Sequence, residues 1–382
     1  MNKPFYLILI FLFFSCQDSR DTKNADTVKI DLKSVSRIPG QSNISSIEYI
    51  PLETNDNTLI RRINKLLFHD GKFYLLDTDA NTIFIFNRDG SFLRKISRLG
   101  RGPGEYVDIR DFDVSKDDNS IWVYDNQSQK IIVYDEDLAD FQTVNLKYHF
   151  EEFAIKGQEA IYVRNLYSDG EIHERLAELD IQKMEYKSLY NKDDYEDDFD
   201  LQRFGGYMFH NSAGKLLLNP RFKNNIVQIH NGELENVYEI IGDFPDQSII
   251  EKYRKDPMEV LSSKQYILSI NNIYETAGSM IFRIVKDMSS LGAVIVSKNS
   301  GEYFTVEFNN EDKYFGGFTG IYGTAENKYI SIVAPSNYRN EYWEQYQEQI
   351  KISPLSEENK SVLLDAEPAD NPIIVLFDFV DF

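Results

Sequence analysis

The sequence predicts an all-β protein, a six-bladed β-propeller with four-stranded antiparallel blades and short helical insertions. Three observations predict it. A unit of short strands recurs 48 residues apart, at residues 72–96 and 120–146. That period, with about four strands per unit, is the length of one propeller blade. Strand-favouring aromatics are abundant, with 24 Tyr and 26 Phe in 382 residues. Turn residues punctuate the chain at regular short intervals, as an all-β repeat requires.

The elements follow in order. Residues 1–16 read MNKPFYLILIFLFFSC, with Lys3 as a positive start and an unbroken apolar run at 5–14. Ten residues rise only about 15 Å as a helix, half of a bilayer core, so residues 1–15 are expected to be a cleaved signal and not a span. Cys16 follows one small residue after the run and is the only cysteine. This resembles the lipobox of bacterial lipoproteins, with Phe13 and Phe14 where Leu and a small residue are usual. Residues 16–26 are polar and acidic and read as a flexible tether, and 27–382 as the propeller.

Within the repeat, a strand ends in Asp77 or Asp125, and a second strand ends in Phe86 or Tyr134. A tight turn and a third strand follow, at 92–96 or 141–146. The pattern continues with decay through 153–190, 204–241 and 270–308, and a sixth unit joins 317–334 to the terminal PIIVLFDFV at 372–380. The strand-like segment 44–53 lies outside these units. It is expected to pair with the last blade, so that the two chain ends meet and leave no open edge. Two stretches are helical in pattern, 246–267 with Pro257 inside it and 338–350 with Tyr342, Tyr346 and Ile350 on one face. Both read as insertions in or between blades five and six.

Charge and composition exclude several function classes. A net charge of -21 excludes a nucleic-acid partner, because phosphate contacts need clustered cations. One cysteine excludes an internal disulfide and a cysteine-based zinc site. No nucleophile elbow is present, and the five histidines (69, 149, 173, 210 and 230) show no metal-ligand spacing. DTDAN at 77–81 resembles the start of a calcium loop. Thr82 stands where that loop needs Gly and Arg88 where it needs Glu, so a turn is the expected reading. The acidic run 193–200 reads as a solvated loop. No cofactor and no metal are expected.

The candidate ligand-binding residues are cations and a loop. GRGPGEY at 100–106 has three Gly and one Pro in five residues, a path that would present Arg101, Glu105 and Tyr106 between blades one and two. Arg101 could capture a ligand, with Glu105 positioning it and Tyr106 stacking, or Glu105 could simply pair with Arg101. Arg110, Arg164, Arg203, Arg221 and Arg283 lie on or beside expected inner strands. They would form a positive throat for an anionic ligand, or else pair with neighbouring Asp and Glu.

Residues 84–96 (FIFNRDGSFLRKI) look like an NHL-type blade motif. Together with YIPLET (49–54), GRGPGEY (100–106), FDV (112–114), NPIIVLFDF (371–379) and the lipobox, they resemble the six-bladed β-propeller lipoproteins of Bacteroidetes, with NHL-like or TolB-like rings. The resemblance implies a lipid anchor at Cys16, a cell-envelope location on the outer membrane, and no common activity. Three functions are therefore open. The first is a monomeric binding or scaffolding module for an envelope protein or glycan. The second is a hydrolase or lyase in the channel, of the metal-dependent lactonase or NHL-lyase type. The third is a structural subunit of an envelope complex.

Overall fold

The computed structural model describes residues 24–32, 44–191, 210–212, 215–220, 222–263, 265–286, 292–307, 320–335 and 340–379. Two strands, β1 (Asn24–Asp31) and β2 (Ile44–Pro51), precede the first blade. Blade one is β3 (Lys65–His69), β4 (Lys72–Asp77), β5 (Thr82–Asn87) and β6 (Phe92–Ile96). Blade two is β7 (Ile109–Val114), β8 (Ile121–Asp125), β9 (Lys130–Tyr134) and β10 (Phe141–Asn145). Blade three is β11 (Glu152–Ile155), β12 (Ala160–Ser168), β13 (Glu171–Asp180) and β14 (Glu185–Asn191). Blade four is β15 (His210–Ser212), β16 (Lys215–Leu218), β17 (Asn225–His230) and β18 (Glu233–Ile241). Helices α1 (Gln247–Lys255) and α2 (Pro257–Ser263) lead to blade five, β19 (Ser269–Glu275), β20 (Ser279–Val285), β21 (Gly292–Ser297) and β22 (Tyr303–Glu307). Blade six has β23 (Gly323–Ala325) and β24 (Lys328–Val333), then helices α3 (Asn340–Lys351) and α4 (Glu357–Asp365), then β25 (Ile373–Phe379).

Among the described residues these strands make six antiparallel sheets, the predicted six-bladed propeller. The first strand of each blade is innermost, and these strands approach one another around the axis. Ring closure is as the sequence predicts: β2 is the outer strand of blade six, antiparallel to β25, with Tyr49 opposite Val375 and Pro51 opposite Ile373.

The core lies between blades, because a sheet packed on both faces must be apolar on both. In β4, Phe73 and Leu75 pack toward blade six, while Tyr74 and Leu76 pack toward blade two. The same alternation splits Phe84 and Phe86 from Ile83 and Ile85 in β5. Each fully buried Leu or Phe contributes roughly 1.5–3 kcal/mol. This two-sided burial is why blade strands read as apolar runs and not as simple alternation.

The closure joins two distant motifs of the sequence. Asn371 is buried. Its amide donates to the carbonyls of Glu53 and Thr58, both at 2.8 Å, and its Oδ1 accepts from Ile60 N at 2.9 Å. Its own N–H donates to Thr54 Oγ1 at 2.9 Å. YIPLET and NPIIVLFDF are therefore one structural unit. On the blade-one side, Glu53 N donates to Gly90 O at 2.9 Å, and Arg88 bonds Glu48 and Glu326 of blade six at 2.8–3.0 Å.

Three features differ from expectation. The helical segment 246–267 lies between blades four and five, not in five or six; it is two helices, capped by Asp246 and Asp256. Pro257 begins the second helix, where a missing N–H costs nothing. The later insertion does lie in blade six, and it continues into α4. Trp343, Tyr346 and Ile350 of α3 and Leu363 of α4 pack onto blades five and six, and Asn359 donates to Ile47 O of β2 at 3.0 Å. Blade four gains a fifth, parallel strand, β1, which starts at Asn24 inside the stretch that reads as tether.

Candidate functional site

The repeated Asp at the end of the second strand is a staple. Asp77 accepts from Arg61 N (2.7 Å), Arg62 N (3.3 Å) and Ala80 N (3.0 Å). Asp125 repeats the pattern with Val107 N (2.9 Å), Asp108 N (3.3 Å) and Ser128 N (3.0 Å). Each carboxylate holds its own turn and the loop that enters its blade, so both oxygens of Asp77 are engaged by the backbone. The described residues contain no group of three or more His, Cys, Asp or Glu arranged to hold a metal ion. His69 meets Asn119, His149 meets Asn126 and His173 meets Ser168. The acidic run 193–200 lies outside the described residues.

The GRGPGEY loop is also built from within. Glu105 Oε2 accepts from Gly102 N at 2.7 Å, not from Arg101, and its carboxylate fills the space a side chain at Gly100 would need. Gly104 has φ +70°, the left-handed region. Tyr106 is fully buried; its hydroxyl donates toward Asn81 O (2.8 Å) and Ile96 O (3.0 Å) and accepts from Arg98 N (3.0 Å). Tyr106 thus anchors the loop and offers no ring face for stacking. Arg101 is exposed at the loop tip.

Where the inner strands of blades one to three begin, a charged cluster forms that sequence reasoning only half anticipated. Lys65 of β3 bonds Asp111 Oδ1 at 2.8 Å and donates to Phe112 O at 2.7 Å. Asp111 Oδ2 accepts from Phe153 N (2.9 Å), and Asp113 Oδ2 accepts from Ile155 N (2.8 Å), so β7 carboxylates bind the β11 backbone. Arg164 of β12 pairs with Glu151 at 2.6 Å and Glu152 at 2.5 Å. Burial pushes Asp111 up to about 6, with Lys65 opposing and Glu152 adding to the rise. Burial raises Asp113 too. Burial acts against the Lys65 ammonium, yet Asp111, Asp113 and Glu152 hold it above the ordinary lysine value. The same balance, with Glu152 and Glu151 prevailing, raises Arg164.

Carboxylates therefore outnumber cations here, and Arg164 is neutralised and not part of a positive throat. Asp111, Glu151, Glu152 and Lys65 are not singled out by the sequence reading, and Asp113 enters it only within the motif FDV. The usable signal was acids at alternate positions in RDFD, which places them on one strand face.

Beside this cluster the rim is open. Arg110 is exposed on β7, and its charge opposes the burial that raises the hydroxyls of Tyr124 and Tyr167. Tyr167 and His149 are half-buried, joined by reciprocal backbone hydrogen bonds, with rings stacked at 5.3 Å. Arg283 sits apart on β20 of blade five, half-buried, and burial lowers it below the usual arginine value. Cys16, Arg203 and Arg221 lie outside the described residues.

Comparison with known proteins places this ring in a family. Residues 27–378 match the domain of unknown function DUF4934. The chain belongs to this family. No curated protein matches it. Among solved structures, the DUF4934 chain is similar to a protein of Bacteroides fragilis NCTC 9343 named as exported. The TM-score is 0.75 at 15% identity, covering 93% of this chain and 99% of that one. It is also similar to a DUF4221 member from Bacteroides vulgatus, with TM-score 0.55 at 10% identity over 89% of this chain and 98% of that one. At these identities the likeness shows the fold.

Proposed function

We propose that this DUF4934 protein is an exported, lipid-anchored propeller of the cell envelope. In this reading it is a non-catalytic binding module for an envelope protein or glycan, contacted at the rim of blades two and three. One observation carries the reading: the charged groups of the inner strands satisfy one another, while Arg110 and the stacked His149–Tyr167 pair stay accessible beside them. A satisfied charge cluster forms a fixed wall, not a poised acid or nucleophile. A cation beside aromatic rings is suited to the apolar faces of sugar rings and to their acidic substituents, and of the two partner classes this favours an acidic glycan. The lipobox-like Cys16 and the exported Bacteroides relative support the location.

The test is calorimetric titration of acidic envelope oligosaccharides into the protein, with Arg110→Ala and Tyr167→Ala beside it. Each variant should bind about 10-fold more weakly, a loss of about 1.4 kcal/mol, with unchanged melting. Turnover of the oligosaccharide, or binding untouched by either variant, would overturn the reading.

A further inference from the structure

Strand β1 stands out in the ring. The strands within each blade pair antiparallel, but β1 joins the outer edge of blade four parallel to β18. Lys29 lies opposite Glu239, Ile30 opposite Ile240, and Leu32 N donates to Ile241 O at 2.8 Å. Ile30 is buried in the core between blades four and five, beside Leu217, Ile240 and Ile267. Lys29 pairs with Glu239 at 3.1 Å. The next strand, β2, lies on blade six. Among the described residues, the N-terminal segment therefore meets the ring first at blade four, before β2 closes it.

The consequence lies in tether length. Eight residues separate Cys16 from Asn24, and 28 separate it from Ile44. Fully extended, these spans reach at most about 29 Å and about 101 Å. Resting on the lipid-anchor reading above, we propose that β1 is a tether clamp: by adding to the edge of blade four, it makes that edge the side of the ring facing the lipid surface that holds Cys16. The clamp shortens the free tether about 3.5-fold in contour length. It also opposes the drift from anionic lipid of a chain whose net charge of -21 becomes -22 once Lys3 leaves with the signal, a repulsion already screened within about 8 Å at physiological salt. Blade one, opposite blade four in a six-membered ring, is then the side turned away.

The experiment uses the full lipidated chain in mixed phosphatidylcholine and phosphatidylglycerol vesicles carrying a lipid acceptor dye. The thiol of Cys16 is consumed by lipidation, so one introduced cysteine takes the donor dye. His230→Cys at the end of β17, beside the β17–β18 turn, reports blade four, and Asp89→Cys in the corresponding β5–β6 turn reports blade one. Energy transfer should be several-fold stronger from blade four. Ile30→Asp, or the milder Ile30→Ser, should bring the two sites together, while loss of hydrogen-exchange protection at 28–31 and an unchanged melting temperature show that only β1 has left. Flotation with vesicles and equal transfer from both sites in the unaltered chain would overturn the clamp alone. So would a gradient that survives release of β1. Failure to float at all would overturn the lipid anchor and the clamp together.

Discussion

Two strands near the start of the chain complete sheets elsewhere in the ring, and they are held very differently. β2 runs antiparallel to β25, is flanked by the Asn371 hub, and packs Tyr49 and Ile50 into cores on either side of blade six. β1 runs parallel to β18 and adds Ile30 to a core already formed by blades four and five. A strand that links the two ends of a closed ring carries the cooperativity of the whole, whereas one added to the outside of a finished blade covers an edge. The same act of strand addition can thus be structural in one place and dispensable to the fold in another.

The comparison breaks most visibly by deletion. Removing residues 372–382 takes away β25, to which both β2 and β24 pair, and with it the buried run from Ile373 to Phe377. At roughly 1.5–3 kcal/mol for each of these side chains, the loss is about 10 kcal/mol, as large as the stability of many domains. A thermal melt should lose its cooperative transition. Removing residues 17–32 should leave that transition within a few degrees of its original temperature. If the two deletions behaved alike, the distinction between closure and edge addition would fall.

A single atom probes the same closure more gently. Gly90 has φ +84°, and a Cβ there would lie 2.1 Å from the Pro51 carbonyl oxygen of β2. Gly71 shares a positive φ, +68°, but a Cβ there meets nothing within 4 Å. Gly90→Ala should cost about 3 kcal/mol in urea unfolding, and Gly71→Ala about 1 kcal/mol from backbone strain alone. Equal losses would mean that contact with β2 adds nothing to the conformational term.

How much of this was legible follows from where the information sits. The hairpins of blades one and two declare themselves because each carries its own strand pair, its own turn and its own terminal Asp, all within a short stretch. The inner strands β3 and β7 lie outside the units read as the repeat, and β11 falls at the start of the third unit without being read as a strand. KLLFH, IRDFDV and EFAI are short and interrupted by charge, and those charges are satisfied by partners on neighbouring blades. β1 straddles the boundary read between tether (16–26) and propeller (27–382), and no strand is read there because NADTVKID has little apolar content; only the edge of β18, some two hundred residues later, makes it a strand. Arg110 and Arg164 were picked out as cations on or beside inner strands. That Arg164 is neutralised by Glu151 and Glu152 is a fact of tertiary contact. Tyr106 showed the reverse case, since a loop motif that looks exposed by composition is tied down by hydrogen bonds to two carbonyls across the blade.

The smallest effect sharpens the comparison at its surface. Arg88 clasps blade one to Glu48 and Glu326 of blade six, partly open to water, so Arg88→Ala should cost about 1 kcal/mol near neutral pH. Its pH dependence carries a definite sign. The hydrogen bond from Arg88 holds Glu48 below its ordinary 4.5, against the opposing pull of burial. A carboxylate depressed in the folded state binds its proton more readily when unfolded. Its contribution is therefore present above about 4.5 and is lost as pH falls through the lower folded value. The gap between wild type and Arg88→Ala in urea midpoint should thus be constant from pH 7 to about 5 and narrow on further acidification. A gap that stayed constant down to acid pH would mean that the clasp acts through the packing of the arginine stem and not through charge.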